Sequence, residues 1–459
     1  MKKILVALFC LAALVLSGAG AASWWVMRQM GPDIWVQQAE KNWNCRAQID
    51  EASLNLLTSP ATLVFKGVHL ARRDAEADKP LPERARMEAA TADIYIAELR
   101  LEVRLEDLLK KRVHVENLAI IEPVIRETQT PDGSTLEALF KKPRSEKTTS
   151  NAAAAATANT APSPAPPPAS APAAPEQSLP LDEDPAAFSF ALAAARIERG
   201  SFFMNTKDTT VQVTGLDYSI SGLDMDTLKP GDELDTAIKA HVAVTGMTRI
   251  QGVKRKAEIA LLDLTGEGRI TPLHPQTREW KPSALLTLTL AKGSILGGQQ
   301  TIGDAAGKDL RKLEEFGIDL APVPIGGPLQ QDAPIQARWV NGALILPQGC
   351  LFVFPDYEVA LAPKSWLDTG RDTHELDIRL SCGPELQERL HTGIAGARLG
   401  RDFARGLIAA LSDKRGRLTF DIKSRGSLSD PKVTPDTDRA LKNLMSGQGL
   451  GDLLKGFLK

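Results

Sequence analysis

Hydrophobic residues alternate with polar ones along most of this chain, and that period of two constrains the fold more than any other feature of the sequence. Leu99, Leu101, Val103 and Leu105 interleave with Arg100, Glu102, Arg104 and Glu106; Ile238, Ala240, Val242 and Val244 interleave with Lys239, His241, Ala243 and Thr245. The pattern recurs at Ala257/Ile259/Leu261, Leu286/Leu288/Leu290, Ile335/Ala337/Trp339, Tyr357/Val359/Leu361, Leu376/Ile378/Leu380 and Leu418/Phe420/Ile422. Successive side chains on a strand point to opposite faces, so each segment has one apolar and one wet face. Parallel sheets covered on both sides read as unbroken apolar runs; alternation belongs to antiparallel sheets with one covered face. The expected fold is therefore mainly β and antiparallel. Short helices are expected at 307–316, 384–411 with glycine breaks, 437–445 and 450–458. The last is amphipathic, and either packs on its own domain or touches lipid or a partner.

Two segments lie outside this pattern. Lys2 and Lys3 precede an uncharged apolar stretch, residues 4–27, which as a helix rising about 1.5 Å per residue crosses a hydrocarbon core. Trp24 and Trp25 close it at an interface-like end before Arg28. Small residues at 17–21 also fit a signal-peptide cleavage site, so residues 1–28 read as a membrane anchor or a signal segment. Lys2 and Lys3 stay on the cytoplasmic side, which sends the rest of the chain across the membrane. The second segment, 148–175, has no charged residue and is rich in Ala and Pro. It cannot build a core. Residues 143–185 thus read as a disordered linker between a β-rich region at 29–142 and a larger β-rich domain at 186–435, with a helical segment at 436–459.

Composition removes several function classes. Lys+Arg 55 against Asp+Glu 57 leaves a net charge of -2, with no basic excess for a nucleic-acid backbone, so no nucleic-acid partner is expected. The six histidines are scattered, with no HExxH, no HxH and no cysteine pair at metal spacing. Neither GxSxG nor a phosphate-loop signature occurs, and Gly393, Gly396, Gly400 and Gly406 read as helix-packing positions. No catalytic residue, metal or cofactor is assigned, and the chain is expected not to be an enzyme. Of four cysteines, Cys10 lies in the apolar stretch. Cys350 and Cys382 flank strand-like segments that neighbouring strands could bring together as a disulfide in an oxidising compartment. The alternative is that Cys45, Cys350 and Cys382 are small buried hydrophobes.

Several segments carry a family texture: Arg46-Ala47-Gln48-Ile49-Asp50-Glu51-Ala52-Ser53-Leu54-Asn55-Leu56-Leu57 after the export segment, Val64-Phe65-Lys66-Gly67-Val68-His69-Leu70, Ala89-Ala90-Thr91-Ala92-Asp93-Ile94, and Arg112-Val113-His114-Val115-Glu116-Asn117-Leu118 with Pro123 beyond. Ala195-Arg196-Ile197-Glu198-Arg199-Gly200-Ser201-Phe202-Phe203 and, near the end, Gly416-Arg417-Leu418-Thr419-Phe420-Asp421-Ile422 with Gly426-Ser427-Leu428-Ser429-Asp430-Pro431-Lys432-Val433 continue it. In order and texture these resemble AsmA-like proteins. The resemblance implies an inner-membrane anchor, a periplasmic body, and a part in outer-membrane biogenesis and lipid transport. It also implies a curved or rolled antiparallel sheet around a hydrophobic groove that holds or conducts phospholipid. Ile238, Val242, Leu286, Leu288, Ile378, Leu380, Leu418 and Phe420 would then line the groove. The implied partners are the inner membrane, phospholipid and envelope proteins. The same residues would fill an ordinary sandwich core in a membrane-tethered envelope scaffold or binding module, because periodicity does not separate a lipid-filled groove from a closed core.

Overall fold

A computed structural model describes residues 31–141, 189–302 and 317–435, apart from short breaks at 56–57, 131–132, 225–227, 251–252, 275, 277–278, 299–300, 369, 397–400 and 428–430. The expected anchor, the whole of the expected linker at 143–185 and the expected helices at 307–316, 437–445 and 450–458 lie outside the described residues. Among the described residues no helix is long and apolar enough to cross a membrane.

The alternating segments form strands of one large, mostly antiparallel sheet. In its first half these are β1 (Cys45–Asn55), β2 (Ala61–Arg72), β3 (Ile94–Arg104), β4 (Arg112–Thr130), β5 (Gly133–Ser134), β6 (Ser189–Asn205), β7 (Thr209–Asp224), β8 (Leu234–Ile250), β9 (Val253–Leu273) and β10 (Trp280–Leu290). The second half has β11 (Ile295–Leu296), β12 (Gly327–Pro328), β13 (Ala333–Val340), β14 (Ala343–Leu346), β15 (Cys350–Val353), β16 (Tyr357–Leu361), β17 (Ser365–Asp368), β18 (Thr373–Cys382), β19 (Thr419–Ser427) and β20 (Pro431–Pro435). Pairing runs β1-β2-β3-β4-β6-β7-β8-β9-β10-β13-β14-β17-β18-β19-β20. β16 lies beside the second half of β18, with β15 beyond it. β1 and β20 are not paired with each other, so the sheet is open. β4 and β6 pair in parallel. The two β-rich regions on either side of the Ala/Pro-rich stretch therefore belong to one sheet.

Left-handed residues cross the first half of the sheet in a line. Gly67 on β2, Glu122 on β4, Arg199 on β6 and Gly215 on β7 all have φ between 49° and 60°, at neighbouring register positions. At Gly67 a Cβ would lie 2.3 Å from an Asp50 carboxylate oxygen, which leaves room only for glycine. Arg199 is held by its Nε donating to Glu122 at 3.0 Å and its backbone N–H donating to Asp217 at 2.9 Å. Each extra residue inverts the alternation, which keeps the apolar side chains on one face: Phe65 is followed by Val68, and Ile120 by Ile125. An irregularity at Val244/Thr245 does the same to β9. It corrects the expected Ala257/Ile259/Leu261 face, because Leu262 and Leu264 pack into a core while Leu261 is 43% exposed.

Two cores flank the middle of the sheet. Helix α1 (Pro32–Asn42) has proline in its first turn and buries Val36 and Ala39. With α2 (Thr135–Leu139), capped by the Ser134 hydroxyl accepting from the Glu137 N–H, it covers the first strands. Trp35 meets Phe65 edge-on, and Trp43 meets Phe140. At the other end α3 (Pro384–Gly396) and α4 (Arg401–Leu411), the expected glycine-broken pair, bury Leu386, Leu390, Ile394 and Ala404 against β18 and the chain around Ile318–Leu329. Gly393 is a true packing glycine: a Cβ there would sit 2.4 Å from the Gly317 carbonyl oxygen.

Of the two readings of the cysteines, the possible Cys350–Cys382 disulfide is not formed, and Cys45, Cys350 and Cys382 are free thiols. β16 lies between the two strands, with Cys350 opposite Leu361 at one end of it and Cys382 opposite Tyr357 at the other. At about 4.8 Å per strand and about 3.4 Å per residue this separates them by roughly 17 Å, beyond the ~7 Å a disulfide spans.

Candidate functional site

Register partners share a face of a sheet, and following them from strand to strand traces continuous apolar rows. One row runs Ala52, Phe65, Leu99, Ile120, Ile197, Tyr218, Ile238, Gly266, Leu288, Ile335. The next runs Leu54, Leu63, Leu101, Leu118, Ala195, Ile220, Thr236, Gly268, Leu286, Ala337 through the same pairings. Its one hydroxyl is satisfied, since Thr236 donates to the Ser219 carbonyl at 2.9 Å. A third row carries Ala47, Leu70, Ile94, Ile125, Phe202, Val213, Val242 and Leu262. On the opposite face of β8 and β9, Asp235, Lys239, His241, Asp263, Glu267 and Arg269 are exposed.

At the two ends of the rows the apolar face is covered by helices; among the described residues no helix makes an extensive contact with β7 or β8, although Leu234, Thr236 and Ala240 on β8 are buried. No residue of β7 or β8 belongs to, or packs against, either hydrophobic core. Among the described residues those strands find their main contacts with neighbouring strands. Val211, Val213, Leu216, Tyr218 and Ile220 on β7, Ile238, Val242 and Val244 on β8, and Leu286 and Leu288 on β10 are all half-buried. Gly266 and Gly268 interrupt the apolar face of β9, and the β10 leucines lie across them. A Cβ at Gly266 would be 2.5 Å from Leu288 Cδ2, and one at Gly268 would be 2.7 Å from Leu286 Cδ2 and 2.3 Å from the Leu285 carbonyl oxygen. Strand glycines of this kind mark close approach or bending.

The eight groove candidates thus divide into two groups. Ile238, Val242, Leu286 and Leu288 come together on the uncovered face. Leu380 and Leu418 are 5% and 0% exposed inside the second core, and half-buried Phe420 packs against it. Half-buried Ile378 pairs with Ile422 and Leu361 on the same part of the sheet. Sequence reading had not singled out Val213, Leu216, Tyr218 or Ile220; the Leu216/Tyr218/Ile220 alternation was the available signal, broken by the extra residue at Gly215.

Several titratable groups elsewhere have local partners. His69 is buried, 3.7 Å from Asp50, with its ring tilted at 56° against Tyr95. Burial pushes its pKa below 6.5, with Asp50 opposing the shift. The Asp50 carboxyl sits below its usual value: burial raises it, and hydrogen bonds from Gln48 and Arg86 outweigh that. His114 bonds Asp107 at 3.0 Å and His374 bonds Ser424 at 2.7 Å. Among the described residues no three His, Cys, Asp or Glu side chains converge at metal-binding distance.

No protein-family model, no curated protein and no solved structure matches this chain. The geometry defines a mainly β protein built on one open, mostly antiparallel sheet whose apolar face, among the described residues, belongs to neither core along β7 and β8.

Proposed function

We propose that this chain is a membrane-anchored, non-enzymatic protein that holds or conducts phospholipid along the uncovered apolar face, with its body in the periplasm, and that it serves outer-membrane biogenesis or homeostasis as AsmA-like proteins do. The observation that carries the lipid reading is the set of apolar rows whose central side chains on β7, β8 and β10, buried Thr236 apart, are part-exposed and belong to neither core. Monomeric soluble proteins rarely leave apolar patches of this continuity in water unless something binds there. Acyl chains fit such a face without directional contacts, each buried methylene contributing about 0.8 kcal/mol, while a headgroup stays in water at the sheet's edge. The line of left-handed residues supports a sheet that curves around its cargo, because in-register bulges bend neighbouring strands together. No side chain need take part in bond making or breaking.

The burial of Leu380 and Leu418 favours a closed core for the part of the sheet under α3 and α4. The scaffold reading applies there, and the lipid reading is confined to the apolar face of β7 and β8 with Leu286 and Leu288 of β10. The test is to purify the full-length chain in mild detergent and to quantify co-purifying phospholipid by mass spectrometry, beside a Leu286→Glu/Leu288→Glu variant. The expected result is bound phospholipid in the wild type and most of it lost from a still-folded variant. Equal phospholipid in both would remove the face from the account.

A further inference from the structure

The hairpin between β8 and β9 continues past the rest of the sheet. β7 accompanies β8 as far as Gly246, and β11 with the chain after it accompanies β9 only as far as Glu258. Beyond those points, among the described residues, the two strands pair only with each other, Met247 with Lys256, Thr248 with Arg255, Arg249 with Lys254 and Ile250 with Val253, and Thr248 alone of the ribbon's described side chains is buried. Four residues on each strand make a ribbon projecting roughly 14 Å at ~3.4 Å per residue. Its base is fixed by the Met247 N–H donating to the Asp208 carbonyl at 3.0 Å and the Lys256 ammonium donating to the Thr210 hydroxyl at 2.9 Å.

This ribbon differs in charge from the molecule that bears it. The whole chain has a net charge of -2, yet the ribbon contains Arg249, Lys254, Arg255 and Lys256 and no acidic residue until Glu258. Lys254, Arg255 and Lys256 are exposed, and among the described residues none of them forms an ion pair. Beside them Met247 and Val253 are 45% and 51% exposed.

We infer that this hairpin docks the protein on a bilayer surface carrying anionic phospholipid, with Lys254, Arg255 and Lys256 among the headgroup phosphates and Met247 and Val253 entering the interface. Cations interleaved with exposed apolar side chains match the boundary between headgroups and acyl chains, where both kinds of group are satisfied. Ile250 and Val253 continue the face that carries Val242 and Val244, so docking would set the end of the apolar rows against the bilayer. The inference does not depend on the acyl-chain reading, since the ribbon keeps its charge and reach whether or not the sheet carries lipid.

The test uses the full-length chain held in phosphatidylcholine nanodiscs, which occupy the apolar N-terminal segment. Its binding to added vesicles of phosphatidylcholine alone, or with phosphatidylglycerol, is measured at low and high salt. Binding should require phosphatidylglycerol and weaken as salt screens it. Lys254→Gln/Lys256→Gln should weaken binding about 30-fold, about fivefold per cation near the surface. Lys229→Gln/Lys281→Gln, which removes the same charge at the other end of the sheet, should leave it unchanged. Equal binding to both vesicle types, or equal weakening by both double variants, would overturn the inference. So would saturation of the hairpin by polyglutamate without any preference for vesicles, which would assign it to an acidic protein.

Discussion

Replacing Leu288 by glutamate separates an uncovered face from a filled core, with Leu418→Glu as its internal standard. Leu288 is half-buried, stands outside both cores and lies over Gly266. Leu418 is 0% exposed and packed in the second core. Burying a leucine fully is worth about 1.5–3 kcal/mol, so Leu288, buried over most but not all of its surface, contributes about 1–2 kcal/mol, and a carboxylate there reaches water without stranding its charge. Leu288→Glu should therefore cost about 1–2 kcal/mol and leave a folded protein with an unchanged denaturant slope. At position 418 the full transfer term is lost and an unpaired charge is buried, which adds several kcal/mol. That sum consumes much of the ~5–15 kcal/mol that holds a domain together. Leu418→Glu should abolish the cooperative transition of the second half of the molecule. The assay is urea unfolding followed by tryptophan fluorescence and far-ultraviolet circular dichroism. A loss at position 288 as large as at position 418 would refute the claim that this part of the sheet is uncovered.

Other outcomes follow from particular contacts. Gly268→Ala should destabilise by roughly 2–3 kcal/mol, because its Cβ would meet a backbone carbonyl at 2.3 Å, whereas Gly266→Ala, whose nearest obstacle is the end of the Leu288 side chain, should cost about 1 kcal/mol; comparable urea midpoints would contradict this. His69 is held neutral in the fold by burial, with its pKa below 6.5. Its contribution is complete above pH 6.5, and it declines as pH falls from there toward the folded-state value, because the unfolded chain takes up the proton first. The urea midpoint should drop between pH 7 and pH 5, and His69→Gln should flatten that slope; an unaltered slope would place the pH dependence elsewhere. Burial pushes the Cys45 and Cys382 thiols up to about 12, with the Glu40 charge adding to the shift at Cys45, and burial pushes Cys350 up to about 11. All three should react slowly with iodoacetamide at pH 8 until the protein is unfolded, and a peptide map without reductant should contain no 350–382 crosslink.

The sheet was legible in the sequence because alternation is a direct record of one-sided burial. Leu286, Leu288, Ile335 and Ala337 fall on the face their spacing predicts. The alternation hid its own interruptions. The extra residues at Glu122, Arg199 and Gly215 each shift the pattern by one, and no local residue preference announces a left-handed Glu or Arg. The same effect put Leu261 on the expected apolar face when the bulge after Val244 sends Leu262 there instead. The cysteine pairing failed for a nonlocal reason, since the insertion of β16 beside β18 depends on strand order, which periodicity does not encode. Cover over the face was equally unreadable. Leu380 and Leu288 have the same spacing on their strands, and only the position of α3 and α4 makes one a core residue and leaves the other half in water. The basic triplet at 254–256 was plain in the sequence, but its meaning required knowing that its hairpin outruns the strands on both sides.

The most direct test of the central claim is site-specific photo-crosslinking in cells, with a photoreactive amino acid placed singly at positions 238, 286, 288, 285 and 287 and the adducts identified by mass spectrometry. The first three positions share the uncovered face, and Leu285 and Thr287 point to the other side of the same strand. The account predicts phospholipid adducts at 238, 286 and 288 and none at 285 or 287. Adducts on both faces alike, or protein adducts alone at 238, 286 and 288, would contradict a lipid-holding face and leave the scaffold reading in its place.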